Sequence, residues 1–121
     1  MKPSDKGESM QFDIDMKSDH CELFGAVRQV LLEDYRFDET KKVRITTYAD
    51  AKGGICHLRT MKHGIDIGFL KGARMEDKYS LLSGSGKVMR VLPLSELDLV
   101  VVKYYVDQAI KINAAKLMCR T

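Results

Sequence analysis

The segment at residues 84–90, GSGKVMR, combines residue types that bind anions. Closely spaced glycines let backbone amides surround an oxyanion, and the charged side chains of Lys87 and Arg90 can approach it. A nucleotide-hydrolysing Walker A loop is not formed, because Leu81 stands where that pattern requires glycine and Val88 where it requires serine or threonine. We therefore expect either a structural turn or a non-catalytic contact with a small ligand. The candidate ligand-binding residues are Gly84, Gly86, Lys87 and Arg90.

Carboxylate side chains gather at the start of the first predicted helix and just after its end. The first group is Asp13, Asp15, Asp19 and Glu22, and the second is Glu33, Asp34, Asp38 and Glu39. Carboxylate oxygens can hold a hard cation weakly at a surface. Acidic residues also favour helix N-termini through the helix dipole, and runs of charge usually form solvated faces. A metal-related role and a solvated surface both remain open.

Positive charge is concentrated in the middle of the chain. Residues 41–90 hold eleven lysines and arginines against four acidic residues, whereas residues 1–40 hold five against ten. Several of these basic side chains could share one face of a sheet and contact phosphates, as in nucleic-acid binding. The chain has no tryptophan and few aromatic residues to stack on bases. Nucleic-acid binding is therefore not favoured.

The histidines and cysteines do not form a pattern that indicates an active site. His20, His57 and His63 lack metal-ligand spacing, and the adjacent Cys56 and His57 would face opposite sides of a strand. No Ser/His/Asp or Cys/His grouping can be inferred, so an enzyme is not supported. We expect Cys21 and Cys56 to be buried, unreactive thiols. Three cysteines without CxxC spacing are typical of a reducing compartment.

The apolar residues are not grouped as a leader or a membrane span would require. The first residues, MKPSDKGESMQ, lack the apolar segment of a secretory signal. The longest apolar run has four residues, from Leu99 to Val102, against the about 18 of a membrane span. We therefore expect a cytoplasmic protein without a membrane partner.

Hydrophobic periodicity predicts one α+β domain over residues 12–121, preceded by a mobile polar tail over residues 1–11. A helical apolar stripe predicts a first helix that begins after Ser18 or Asp19. The alternation over residues 12–16 fits either a short extended segment or an entry into that helix.

From Val43 the apolar residues recur at every second position, which predicts an antiparallel sheet of about four strands. Three of them form a meander beginning near Val43, Ile55 and Ile65, and a fourth, over residues 88–92, is ended by Pro93. Residues 79–82 are predicted to form one helical turn before that strand. A long C-terminal helix from Ser95 to about Lys116 completes the predicted fold.

Two motifs, GFLKGARMED and LLSGSGKVMRVL, share a pattern of glycines and charged residues. The pattern consists of Gly68, Phe69, Gly72, Asp77, Leu81, Leu82, Gly84, Gly86, Lys87 and Arg90, with a weaker upstream match at Glu39, Thr40 and Lys41. It resembles the YdhG-like domain family of bacteria, which is mostly of unknown function. The resemblance covers about residues 18–115 and implies an antiparallel sheet with flanking helices. Lys78 stands where the family commonly has proline, which marks a divergent branch.

Some relatives in that family are described as frataxin-like iron chaperones, in which acidic residues near the first helix and strand contact iron. The resemblance therefore implies iron as an alternative ligand. The residues that would hold it are Asp15, Asp19, Glu22 and Glu33.

The predicted function is a non-catalytic binding or accessory domain with no resident cofactor. Its partner would be a small ligand, with an anion as the first candidate, or another protein. An iron-binding chaperone is the alternative, and nucleic-acid binding is the third hypothesis. The sequence leaves open whether the chain is a monomer or a homodimer.

Overall fold

A computed structural model describes the backbone of residues 10–119 and the side chains of residues 10–115. In chain order its elements are helices α1 (Gln11–Met16) and α2 (Cys21–Gln29), a π-helical turn (Val30–Asp34), strands β1 (Asp38–Lys41), β2 (Thr46–Asp50), β3 (Gly53–Met61) and β4 (Gly64–Phe69), a 3-10 turn (Gly72–Arg74), strand β5 (Arg90–Leu94) and helix α3 (Leu99–Cys119). The strands form one antiparallel sheet in the order β1-β2-β3-β4-β5. The predicted α+β class, with an N-terminal helix before the sheet and a long helix after it, is confirmed.

The sheet has five strands in the described part of the chain, one more than predicted, and the additional strand is β1. Strand β1 lies at an edge of the sheet, and its sequence, DETK, is wholly polar. It therefore shows no alternation of apolar and polar residues from which a strand could be predicted. The next strand also begins later than predicted, at Thr46. Val43 instead lies in the turn that Lys42 closes by donating its amide to the carbonyl of Ile45 over 2.9 Å.

The N-terminal alternation forms a helix, α1, and not an extended segment. Phe12 packs edge-on against Phe24 of α2, with 5.9 Å between ring centroids. Three residues later, Asp15 accepts hydrogen bonds from the amide and the hydroxyl of Thr60 in β3, over 2.9 and 2.7 Å. Three residues is the spacing of one helical face, and Ile14 on the other side is exposed. Residues 1–9 of the predicted tail lie outside the described residues.

Pro93 lies inside β5 and does not end it. Two residues earlier, Val91 directs its amide and carbonyl away from β4, where both bond to Ser83 over 2.9 and 2.8 Å. Residues two apart on a strand share that orientation, so the missing N–H of Pro93 falls on the outer side of β5. No bond to β4 is lost there, which is why proline is tolerated.

The C-terminal helix, α3, begins at Leu99, four residues after the predicted start at Ser95. Asp98 caps it, because its side chain accepts from the amide of Val101 over 3.2 Å and its carbonyl from the amide of Val102 over 3.0 Å. No helix within the described residues is both long and apolar enough to cross a membrane.

The core lies between the helices and one face of the sheet. That face carries the fully buried Tyr48, Leu58, Ile67 and Leu92, and the helices contribute Phe24, Val27, Leu31, Val102, Tyr105 and Val106. On the opposite face the strand register aligns Thr47, His57 and Val91, which are only half-buried. The helices therefore cover one face of the sheet and leave the other partly open to solvent.

Candidate functional site

The 3-10 turn after β4 is packed directly against β5, and this contact places the candidate loop. The amide of Ala73 donates to the carbonyl of Val88 over 2.9 Å. A side-chain carbon added at Gly72 would lie 2.8 Å from the backbone nitrogen of Arg90 and 2.6 Å from its Cβ. Only glycine allows so close an approach of the two backbones. The beginning and end of the connecting loop, residues 75–89, are therefore held together.

Asp77 organises the first half of the connecting loop. Its carboxylate accepts from the amides of Leu81 and Leu82, over 3.0 and 3.2 Å, and from the hydroxyl of Tyr105 over 2.5 Å. Desolvation acts to raise the pKa of Asp77, but these hydrogen bonds together outweigh it, so the pKa is lowered. Burial, with the bond to Asp77, raises the pKa of Tyr105 to about 12. Asp77 therefore stays an acceptor and Tyr105 a donor.

The second half of the loop runs beside β5. Residues 79–82 were predicted to form a helical turn, but helical structure in this connection is instead the 3-10 turn at Gly72–Arg74. Ser83 then pairs with Val91 as an isolated bridge, which extends the sheet by one residue beyond β5. This bridge positions the segment that follows.

Residues 84–90, here called the GSGK segment, contain all four candidate ligand-binding residues. Nη1 of Arg90 donates to the carbonyls of Gly86 and Met89, over 2.6 and 2.7 Å, so the segment folds back onto the guanidinium. Gly84 has a φ of +122°, a conformation that residues with a side chain rarely adopt. Lys87 is exposed on the same segment. The fold thus brings Gly86 and Arg90 into contact and leaves Lys87 in solvent.

The GSGK segment offers hydrogen-bond donors and positive charge that are not used internally. In the described part of the chain, the amides of Ser85, Lys87 and Val88 donate to no protein acceptor. Among the same residues, neither Lys87 nor Arg90 forms an ion pair with a carboxylate. Backbone amides and basic side chains of this kind are the groups that hold oxyanions. The arrangement is suited to binding an anion from solvent.

The four carboxylates proposed for iron have different environments. Asp15 is fully buried; Oδ1 accepts from Gln11 and Thr60, and Oδ2 has no hydrogen-bond partner among the described residues. Asp19, Glu22 and Glu33 are exposed. Within residues 10–115, no group of three or more histidine, cysteine or acidic side chains is arranged to hold a metal ion.

The histidines have structural contacts. His20 shares a hydrogen bond with the carbonyl of Lys62 over 3.0 Å, and His63 with Asp66 over 2.8 Å. The ring of His57 covers Gly68 on the open face of the sheet, where an added side-chain carbon would lie 2.3 Å from its Cε1. Burial, with the charge of Arg59, lowers the pKa of His57.

Of the two cysteines predicted to be buried, Cys56 is fully buried and Cys21 is partly exposed. Burial raises the pKa of the Cys56 thiol, which makes it unreactive at neutral pH. The side chain of Cys119 lies outside the described residues.

A shallow groove of about 780 Å³ lies between the turn that joins α1 to α2 and the tip of the β3–β4 hairpin. Its lining includes Lys17, His20, Met61 and Lys62. Some polar groups there bond to one another: the ring of His20 shares a hydrogen bond with the carbonyl of Lys62, and the amide of His20 donates to the hydroxyl oxygen of Ser18 over 3.0 Å. The groove is less suited to an anion than the GSGK segment, where donors are free.

Sequence reasoning missed an aromatic cluster where the connecting loop meets α3. Tyr79, Tyr104 and Tyr105 contact one another edge to face, and the ammonium of Lys78 lies over the rings of Tyr79 and Tyr104. The adjacent tyrosines in α3 were visible in the sequence, but nothing local pairs them with Tyr79. A second missed cluster joins Arg28, Glu39 and Tyr48 at the edge of the core.

Fold and site together define an α+β domain whose exposed loop between β4 and β5 carries backbone amides without acceptors among the described residues. No family model matches the chain, and neither a curated protein nor a solved structure matches it.

Proposed function

We propose that this protein is a non-catalytic binding or accessory domain that holds a small oxyanion, such as a phosphate group, at the GSGK segment. The observation that carries the proposal is the placement of Arg90. Its guanidinium is fixed by the carbonyls of Gly86 and Met89, and the amides of Ser85, Lys87 and Val88 in the same segment have no acceptor among the described residues.

The donors of Arg90 support binding of a planar or tetrahedral anion. A guanidinium has five N–H groups in a rigid fork, and the two loop carbonyls occupy only Nη1. The N–H groups on Nε and Nη2 are left for two oxygens of a ligand. Lys87 would add a flexible charge, and the backbone amides would complete the contacts. Because the segment is exposed and screened by salt, we expect dissociation constants of about 1 mM for an inorganic anion.

The same residues carry the resemblance to the YdhG-like family, and we include membership of that family in the proposal. The iron-chaperone alternative is supported by the resemblance alone. Nucleic-acid binding would use the same cations, but would add a steep dependence on salt concentration. A protein partner with an acidic side chain could meet the same donors.

The proposal is tested by titrating inorganic phosphate into the isotope-labelled protein and following backbone amide shifts. Saturable shifts concentrated in residues 84–90 are the expected result, because the amides that receive the oxyanion lie there. Sodium chloride at matched ionic strength is the control for general screening. Amide resonances in this segment that stay unchanged at about 10 mM phosphate would reject the anion site.

A further inference from the structure

Two tyrosine rings form a corner where the connecting loop meets α3. Tyr79 from the loop and Tyr104 from α3 meet edge to face, with 5.2 Å between centroids and 88° between their planes. Tyr104 also lines a cavity of about 610 Å³ together with Glu76, Asp77 and Lys78. An aromatic corner bordered by two carboxylates is a favourable environment for a cation.

The corner is held in place by α3. The side chain of Gln108 donates to the carbonyl of Glu76 over 2.9 Å and accepts from the amide of the same residue over 2.8 Å. The hydroxyl of Tyr104 donates to that carbonyl over 3.3 Å. Below them, Tyr105 anchors Asp77 from the core. The two rings, the backbone of Glu76 and the carboxylate of Asp77 are therefore positioned before any ligand arrives, which lowers the ordering cost of binding.

A cation of the protein itself already occupies this corner. The ammonium nitrogen of Lys78 lies 5.4 Å from the ring centroid of Tyr79 and 5.8 Å from that of Tyr104. Both distances are within the range of cation–π attraction. Lys78 is exposed on a flexible stem, so its ammonium can leave at modest cost. The carboxylate of Glu76 meets no cation among the described residues, so negative charge remains at the rim.

We propose that the corner of Tyr79 and Tyr104 is a binding site for a small quaternary ammonium compound, and that Lys78 is its displaceable internal occupant. A methylated ammonium loses little hydration when it contacts an aromatic face, whereas an inorganic cation would have to give up strongly bound water. Glu76 and Asp77 supply the opposing charge. This site differs from the proposed anion site in its residues and in the sign of its ligand, so either can fail alone.

Choline is the probe, and its neutral isostere with carbon in place of nitrogen is the matched compound. Because the chain has five tyrosines and no tryptophan, tyrosine ring resonances report the site directly. In the Lys78→Ala variant we expect saturable shifts of Tyr79 and Tyr104 and binding about tenfold tighter than in the wild type, since the competing ammonium is gone. The isostere should bind at least about tenfold more weakly than choline. Lys52→Ala, which removes an exposed lysine without ring contacts among the described residues, should bind choline as the wild type does.

Equal affinity of wild type and Lys78→Ala for choline, or equal binding of choline and its isostere, would overturn the proposal. Tyr104→Leu should abolish the shifts of Tyr79. If that variant does not fold, Glu76→Gln tests the rim charge without removing a ring, and should weaken choline binding about threefold. Unchanged choline binding in Glu76→Gln would remove the role given to that carboxylate and count against the site.

Discussion

The hydroxyl of Tyr105 donates to the carboxylate of Asp77, 28 residues earlier in the chain, over 2.5 Å. Tyr105 is fully buried in α3, whereas Asp77 belongs to the exposed connecting loop. The bond therefore fastens the loop that carries the GSGK segment to the core. Asp77 in turn holds the amides of Leu81 and Leu82, so a single carboxylate links loop conformation to helix packing.

Replacing Tyr105 by phenylalanine should remove its hydrogen bond to Asp77 while keeping the ring in the core. We expect a loss of about 1 kcal/mol in the free energy of unfolding, because a hydrogen bond to a charged group is broken at a partly exposed site. Urea denaturation measures the loss. Tyr35→Phe is the control, since its hydroxyl bonds to the exposed Asp107 over 2.7 Å. An equal or larger loss in Tyr35→Phe would contradict the role given to Tyr105.

Glu39 should make the fold sensitive to acid. Its carboxylate accepts from Nε and Nη2 of Arg28, over 2.6 and 2.9 Å, and from the hydroxyl of the buried Tyr48 over 2.8 Å. Desolvation acts to raise the pKa of Glu39, but these partners outweigh it and lower the pKa below the ordinary 4.5. Its contribution is therefore complete above that value and disappears as the pH falls through the lower, folded-state pKa.

The variant Glu39→Gln should show a shallower loss of stability below pH 4.5 than the wild type. At neutral pH it should be less stable by about 1 kcal/mol. Urea denaturation across the acid range gives both quantities. Glu33→Gln, an exposed carboxylate, should retain the wild-type pH profile. If both variants retained it, the cluster of Arg28, Glu39 and Tyr48 would not contribute as described.

Substitution by alanine should destabilise the protein at Gly72 but not at Gly86. At Gly72 the new methyl group would collide with the backbone of Arg90, so we expect a loss of about 2 kcal/mol in unfolding free energy and displacement of the GSGK segment. At Gly86 nothing lies within 4 Å of the added carbon, so stability should change by less than about 0.5 kcal/mol. Thermal or urea denaturation compares the pair. Similar losses in both would show that the 3-10 turn does not rest on β5 as found.

An anaerobic ferrous iron titration separates the anion proposal from the iron-chaperone alternative. Iron could reach Asp15 only by breaking its hydrogen bonds to Thr60, since that carboxylate is fully buried. We therefore expect no saturable shift shared by Asp15, Asp19, Glu22 and Glu33 in amide spectra. A saturable shift shared by these residues at one iron equivalent would establish iron binding. The iron chaperone would then replace anion binding as the favoured function.

Periodic elements were the predictable part of the fold. In β4 the apolar residues alternate, β3 follows turn residues with a run of β-prone residues, and both strands begin within two residues of the predicted starts. By contrast, β1 is wholly polar, and α1 is stabilised by the contact between Asp15 and Thr60, 45 residues apart. Such elements are selected by tertiary partners, so local patterns carry little information about them.

Contacts within the candidate site were predictable where they are local. Arg90 meets the carbonyl of Gly86 four residues earlier, and both belong to one glycine-rich motif. The corner of Tyr79 and Tyr104 depends on docking of the connecting loop on α3, which no spacing in the sequence encodes. In the sequence, Lys78 is one basic residue of the middle segment and a departure from the YdhG-like pattern, whereas its position over the two rings required the structure.

The most direct test of the anion site is the dissociation constant for inorganic phosphate in the wild type, Lys87→Ala and Lys52→Ala. Both lysines are exposed, but only Lys87 lies in the GSGK segment. We predict about threefold weaker binding in Lys87→Ala and an unchanged constant in Lys52→Ala. Equal constants in all three proteins, or equal weakening in both variants, would show that phosphate is attracted by overall charge and not by this segment.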